Sequence, residues 1–163
     1  MTFATSIQPI RSALNEKKQE KREEALALGI DEAFIASMVD DFYGAIRQDD
    51  LLGPIFNQRI EDWPAHLAKM NRFWQSILLG SANFSGNPFV KHITISGLDD
   101  DHFAHWLDLF YQTLRKLAKS PEAIALIGGK AHTIASSLLH GVFVHQHGLP
   151  GTPAGLELPY VEN

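Results

Sequence analysis

The 163 residues are enough for one domain with a substantial core, because folding at this length buries roughly 70% of the surface that the unfolded chain exposes. Apolar residues make up 45% and charged residues 20%, as in an ordinary globular protein, and the formal charge of -5 argues against a nucleic-acid-binding surface, which would concentrate Lys and Arg. The absence of cysteine excludes disulfides, thiolate metal ligands and cysteine nucleophiles, so a metal would need histidine or carboxylate ligands.

The first segment, residues 1–30, is polar. Residues from about 11 to 28 predict a charged helix, in which basic residues alternate with glutamates so that the local charge nearly cancels. Its apolar stripe is thin, and we interpret the segment as an extension laid over a domain of residues 31–148, with residues 149–163 as a tail. The sequence shows neither a secretory signal nor the roughly 18 apolar residues of a membrane span, which predicts a cytoplasmic protein without a membrane partner.

Two strong helices come next. The first begins after Asp31, a predicted N-cap, and is expected to end near the Gly53-Pro54 turn, in an apolar corner at residues 51–56. The second opens at residues 62–64, with a proline in its first turn, and is expected to end at Gly80. The apolar stripe of this second helix, at helical spacing, consists of Trp63, His66, Leu67, Met70, Phe73, Trp74, Ile77 and Leu78.

A long connection follows at residues 81–101, where glycine and proline allow at most a short helical turn around residues 89–92. Connections of this length inside a domain are usually functional or disordered. A third helix is predicted from the acidic cluster 99–101 and a fourth from Ser120-Pro121. Four amphipathic helices predict an all-α domain, either a bundle or a globin-like sandwich.

Gly128 and Gly129 lie within the predicted fourth helix. Each should cost about 1 kcal/mol relative to alanine at a helical position. The pair therefore indicates close packing, a bend or a break, and the sequence does not choose among these.

The eight histidines are the candidates for metal or ligand binding. Most of them are expected at the surface, and none reproduces the His-Glu-x-x-His spacing of a zinc site. His66 lies on an apolar stripe, where a lone histidine is most often a hydrogen-bonded core residue, and His92 by itself would be a loop histidine. Tyr43 and Trp106 would likewise be interpreted as core aromatics, each with one polar atom that needs a partner.

The order of these four residues along the chain is more informative than any one of them alone. With their neighbours they spell Phe42-Tyr43, Leu52-Gly53-Pro54-Ile55-Phe56, Trp63-x-x-His66 leading to Phe73-Trp74, Gly86-x-Pro88-x-x-x-His92, and His102-Phe103-x-x-Trp106-Leu107. Over about residues 32 to 147, this ordered set resembles the group III truncated haemoglobins. No single piece is specific, whereas the set is.

The resemblance implies a two-over-two helical sandwich around one haem b. It implies that His92 is the proximal iron ligand and that Tyr43, His66 and Trp106 form the distal pocket, where a gas binds. The residues placed with the cofactor-binding set are Phe56, Met70, Phe73, Phe89, His92 and Phe103. Residues 1–30 and the tail lie outside the family's core.

A single imidazole ligand leaves the opposite axial position of the iron open for oxygen, nitric oxide or carbon monoxide. Because bound oxygen takes on negative charge, the donors of Tyr43 and Trp106 would stabilise it more than carbon monoxide. Slow release follows, which favours sensing, scavenging or chemistry over delivery. Two alternatives remain open: a haem-dependent nitric oxide dioxygenase or peroxidase supplied by an electron-donating reductase, and a globin-shaped binding module without haem.

Overall fold

The computed structural model describes residues 4–81, 84 and 97–147. Within these residues the chain forms helices and no strand, which confirms the all-α prediction. The helices are α1 (Ala4–Ala27), α2 (Glu32–Gln48), α3 (Gly53–Arg59), α4 (Trp63–Leu79), α5 (Asp100–Leu117) and α6 (Pro121–His147). In the same part of the chain, no helix is long and apolar enough to cross a membrane.

Side-chain caps begin the helices where the sequence predicts them. The Asp31 carboxylate accepts the Phe34 N–H at 2.8 Å, and the Asp62 carboxylate accepts the Ala65 N–H at 3.0 Å, each satisfying an amide that has no partner within its helix. Gly80 ends α4 with a φ of 68°, the left-handed conformation that glycine adopts without a steric penalty.

The end of α2 differs from the expectation. The helix stops at Gln48, and the apolar corner is a short helix of its own, α3. The physical reason is Asp49, whose carboxylate accepts the N–H groups of Leu51 at 3.0 Å and Leu52 at 2.9 Å and so turns the chain between the two helices.

The main core is centred on α2, which packs against α4 and α5, while α5 packs against α6. The architecture is therefore two helix pairs, α2 with α4 and α5 with α6, joined through the α2–α5 contact. Phe42 and Phe110 meet edge to face at that contact, with ring centroids 4.9 Å apart, and both are fully buried.

The N-terminal segment contributes to this core. Helix α1 packs against α4, and Ala25 and Ile30 are completely buried. Gly80 lies so close to α1 that a Cβ built on it would be 3.2 Å from the carbonyl oxygen of Lys18. Most of the earlier residues of α1 are exposed, among them Ile10 and Leu14.

Gly128 and Gly129 lie inside a continuous α6, and the structure decides in favour of close packing. A Cβ built on Gly128 would overlap the Tyr111 ring of α5, whereas a Cβ on Gly129 would have nothing within 4 Å. The two adjacent glycines therefore have opposite surroundings.

We expect Gly128→Ala to destabilise the protein by about 1–2 kcal/mol, because the added methyl group forces the Tyr111 ring to move. Gly129→Ala is the matched control and should instead stabilise it by about 0.5–1 kcal/mol, the difference in helix propensity. Free energies of unfolding in urea would test both. Equal effects of the two substitutions would contradict the packing argument.

Candidate functional site

A cavity of about 440 Å³ lies between the two helix pairs, within the range of roughly 300–1,000 Å³ that is usual for small-molecule and cofactor sites. Its walls come from α2, α3, α4, α5 and α6, together with Phe84 and Leu98. The lining is predominantly apolar and aromatic, as expected of a site that removes a large ligand from water.

One part of the wall is formed by the three side chains that were predicted to face a gas ligand: Tyr43 from α2, His66 from α4 and Trp106 from α5. The rings of Tyr43 and His66 are nearly perpendicular, with centroids 5.1 Å apart. Phe42, on the core side of the wall, packs edge to face against both Tyr43 and Trp106, with ring centroids 5.1 Å and 5.3 Å away, respectively. Three helices therefore bring together residues that are far apart in the sequence.

Tyr43 can act as a hydrogen-bond donor at this wall. Its side chain is 6% exposed, and burial raises the pKa of the phenol above its ordinary value, because the charged form would lose its hydration. The hydroxyl therefore keeps its proton throughout the physiological pH range. Trp106 adds an indole N–H, which is a donor at any pH.

A stack of aromatic rings supports the wall from the core. Phe110 lies nearly parallel to Trp106, at a centroid distance of 5.6 Å, and to Trp74, at 5.1 Å. Trp74 itself also lines the cavity. Because protein interiors are close-packed, the stack limits the positions that Trp106 can adopt.

Four of the predicted cofactor-contacting residues also line the cavity: Phe56, Met70, Phe73 and Phe103. Phe89 and His92, and with them the predicted axial ligand, lie outside the described residues, as does the short turn expected around residues 89–92. Their roles stay predictions.

Sequence reasoning did not assign several lining residues to the site. The apolar ones are Leu52, Ile55, Ile60, Ala65, Trp74, Phe84, Leu98, Ile134, Ala135 and Leu138. Ile134 and Leu138 are four residues apart on α6, a spacing that indicates an inward face but not whether that face borders a cavity or a filled core. Phe84 contacts Phe73 edge to face, at a centroid distance of 5.1 Å.

The polar lining residues were also missed. Arg59 and Lys69 are cationic, Glu61 and Asp62 are anionic, and His102 lies near the start of α5. Arg59, Glu61 and Asp62 are exposed, so this part of the lining faces solvent. An apolar interior with charges of both signs at its edge suits an apolar ligand that carries polar groups on one side.

Two further histidines, both on α5, have structural contacts. His102 completes a capping box with Asp99 at the start of α5, with its Nδ1 2.8 Å from Asp99 Oδ1. His105 donates from Nε2 to Asp49 Oδ1 at 2.6 Å, and this bond ties α5 to the turn between α2 and α3. His105 precedes Trp106, and Asp49 caps the corner that includes Leu52, so the bond links two parts of the cavity wall.

The bond between His105 and Asp49 makes folding depend on pH. Burial opposes the charge of Asp49, but the hydrogen bonds from the His105 side chain and from the N–H groups of Leu52 and Leu51 outweigh it and lower the pKa of the carboxyl. Because folding lowers this pKa, the carboxylate stabilises the fold above the ordinary carboxyl range. That stabilisation is lost as the pH falls through the folded-state pKa.

We therefore expect Asp49→Asn to reduce the free energy of unfolding by about 1 kcal/mol at neutral pH, and the difference from the unmodified protein to shrink in acid. Urea unfolding at a series of pH values would measure it. Asp50→Asn, at the exposed neighbouring position, is the control and should change little. A difference that persists unchanged into acid would show that the carboxylate charge is unimportant.

The comparisons with known proteins identify similarity to truncated haemoglobins both in sequence and in structure. A group 3 truncated haemoglobin of Campylobacter jejuni is 36% identical over 111 residues, which are 66% of this chain and 87% of that protein. The crystal structure of a group III truncated haemoglobin from Campylobacter jejuni superposes with a TM-score of 0.65 at 34% identity, covering 69% of this chain and 91% of that one. No family model matches the chain.

Proposed function

Since the chain belongs to the group 3 truncated haemoglobins and has their fold, we propose that it holds one haem b in the cavity between the helix pairs and binds oxygen and related diatomic gases there. The observation that carries this proposal is the wall of Tyr43, His66 and Trp106, three polar aromatic side chains that face an otherwise apolar cavity. We propose residues 31–148 as the haem-binding domain.

The residues that line the cavity fit a haem. Aromatic and aliphatic side chains provide the apolar surface that a porphyrin needs, with Phe56, Phe73 and Phe103 among them. Arg59 and Lys69 would face the two carboxylates of the porphyrin at the solvent side. Their positive charges would offset the repulsion between these carboxylates and Glu61 and Asp62 at the same edge.

His92 is our proposed iron ligand, on the strength of the family pattern. When bound, haem would supply an iron that binds a diatomic gas. A histidine ligand usually donates its other ring N–H to a carbonyl or carboxylate, which fixes the ring and its tautomer.

The three residues of the polar wall would act on the gas through hydrogen bonds. The buried Tyr43 hydroxyl and the Trp106 indole N–H are fixed donors, and they favour a ligand that gains negative charge over one that stays neutral. His66 touches the Tyr43 ring and would either add a donor or control entry. This preference supports retention of oxygen, with sensing, scavenging or redox chemistry as its use, rather than oxygen delivery.

Redox turnover is the second candidate function, and the same polar wall favours it. Dioxygenation of nitric oxide or reduction of peroxide consumes electrons, so an electron-donating reductase would be the partner. Steady-state turnover with a flavin reductase would test it: sustained consumption of nitric oxide or peroxide would support an enzyme, and a single stoichiometric reaction would oppose it.

The binding proposal is tested by adding hemin to the purified protein. We expect a Soret band that saturates at one haem per chain and that shifts when carbon monoxide is added to the reduced protein. Protein that stays colourless after hemin treatment and gel filtration would overturn the proposal. The alternative would then be a globin-shaped binding module without haem.

A further inference from the structure

The first turn of α4 carries His66 and begins at Trp63. In this turn, the Ala65 N–H depends on the Asp62 side chain, and the His66 N–H is bonded to the Asp62 carbonyl oxygen at 3.0 Å. Helix ends fray because their first amides lack partners within the helix. His66 therefore lies where the backbone bonds of the helix begin, and contacts from neighbouring side chains add to its positioning.

Trp63 supplies such contacts. Its ring meets that of His66 edge to face, at a centroid distance of 5.7 Å, and that of Tyr43 at 6.2 Å. Trp63 does not line the cavity and lies behind the wall that Tyr43 and His66 form. It touches both members of the Tyr43–His66 pair without being available to a ligand itself.

Arg47 holds Trp63 from α2. The Cζ atom of its guanidinium lies 4.3 Å from the centroid of the Trp63 ring, the geometry of a cation–π contact. The Arg47 backbone carbonyl also accepts a hydrogen bond from the Asn57 side-chain amide at 3.2 Å, which ties this end of α2 to α3. The contact therefore connects the first turn of α4 to the helix that carries Tyr43.

From these contacts we infer that Arg47 and Trp63 are positioning residues that hold His66 against Tyr43 at the gas-binding wall. This role rests on the proposed function, since it concerns how a gas would meet the wall. Loss of either side chain would loosen the first turn of α4 and with it His66, while the residues that line the cavity stay the same.

A purely structural role would predict something different. If the Arg47–Trp63 contact only stabilised the fold, its removal would act on all of α4 through global unfolding. A positioning role predicts a local effect, confined to the amides of Ala65 and His66, with those of Trp74 and Leu78 unchanged. Amide hydrogen exchange on the purified protein separates the two cases.

We expect Arg47→Gln to speed exchange at Ala65 and His66 by about two- to fivefold, the effect of an exposed cation–π contact. Arg47→Lys, which keeps the cation, should restore part of the protection. Arg72→Gln, the control, removes an exposed charge from α4 itself and should leave the exchange rates of Ala65 and His66 unchanged. Unchanged exchange at Ala65 and His66, or equal acceleration along the whole of α4, would overturn the inference.

The second readout is the infrared stretching band of carbon monoxide bound to the haem-loaded protein, which senses nearby hydrogen-bond donors. Arg47→Gln and Trp63→Leu should each move the band toward that of His66→Ala, and combining either with His66→Ala should add nothing. A band that neither variant moves would contradict the positioning role. If hemin does not bind, the proposed function fails, and the exchange experiment alone decides whether Arg47 and Trp63 hold His66.

Discussion

His92→Ala is expected to weaken haem affinity by about 100-fold or more, because it removes the proposed bond between the protein and the iron. The apolar walls with Phe56 and Phe73 would still attract a porphyrin, but without a ligand that fixes it in the cavity. Hemin titration followed by gel filtration measures the loss as a decrease in Soret absorbance per chain.

The control is His132→Ala, at an exposed position on α6, which should leave the Soret band unchanged. His92→Gly with added imidazole provides a stricter test, since a free imidazole can occupy the space of the missing side chain and restore the spectrum. An unchanged spectrum in His92→Ala would remove this residue as the ligand and direct attention to the remaining histidines.

Tyr43→Phe is expected to speed oxygen dissociation by about 10- to 100-fold. The substitution deletes one buried donor to a ligand that gains negative charge, and hydrogen bonds to charged groups contribute about 1.5–3 kcal/mol. Carbon monoxide dissociation should change far less. Because burial raises the pKa of this phenol, the effect should not vary with pH across the physiological range.

Stopped-flow displacement of oxygen by carbon monoxide measures these rates. Tyr111→Phe is the matched control, because it deletes a phenol on α5 that does not line the cavity. If Tyr43→Phe leaves the oxygen dissociation rate unaltered, the hydroxyl points away from the gas and Trp106 or His66 supplies the donor.

Much of the fold could be predicted from local chemistry. Asp31 and Asp62 begin their helices, and Gly80 ends one, because the relevant hydrogen bonds and backbone conformations involve only residues close in sequence. The separate helix α3 was missed although the bonds from Leu51 and Leu52 to the Asp49 carboxylate are also local; the bond from His105 of α5, which holds that carboxylate, is long-range and gives no local signal. The surroundings of Gly128 depend on a residue of another helix, which periodicity does not identify.

The functional site was harder to predict from individual residues than the fold. Tyr43, His66 and Trp106 each look like ordinary core residues, and only their order along the chain, through the family resemblance, placed them in one pocket. The structure brings these three together at the cavity. The cations Arg59 and Lys69 carry no local signal, because their place at the edge of the cavity follows from how the helices pack. The role of His92 stays a prediction.

The arrangement of the tryptophans has a practical consequence for optical work on this molecule. The chain contains three of them: two line the cavity, and Trp63 lies directly behind its wall. All three tryptophans are therefore close enough to a haem in the cavity to transfer excitation energy to it. Quenching of the tryptophan fluorescence would then report the fraction of chains that hold haem during a titration, without an added label.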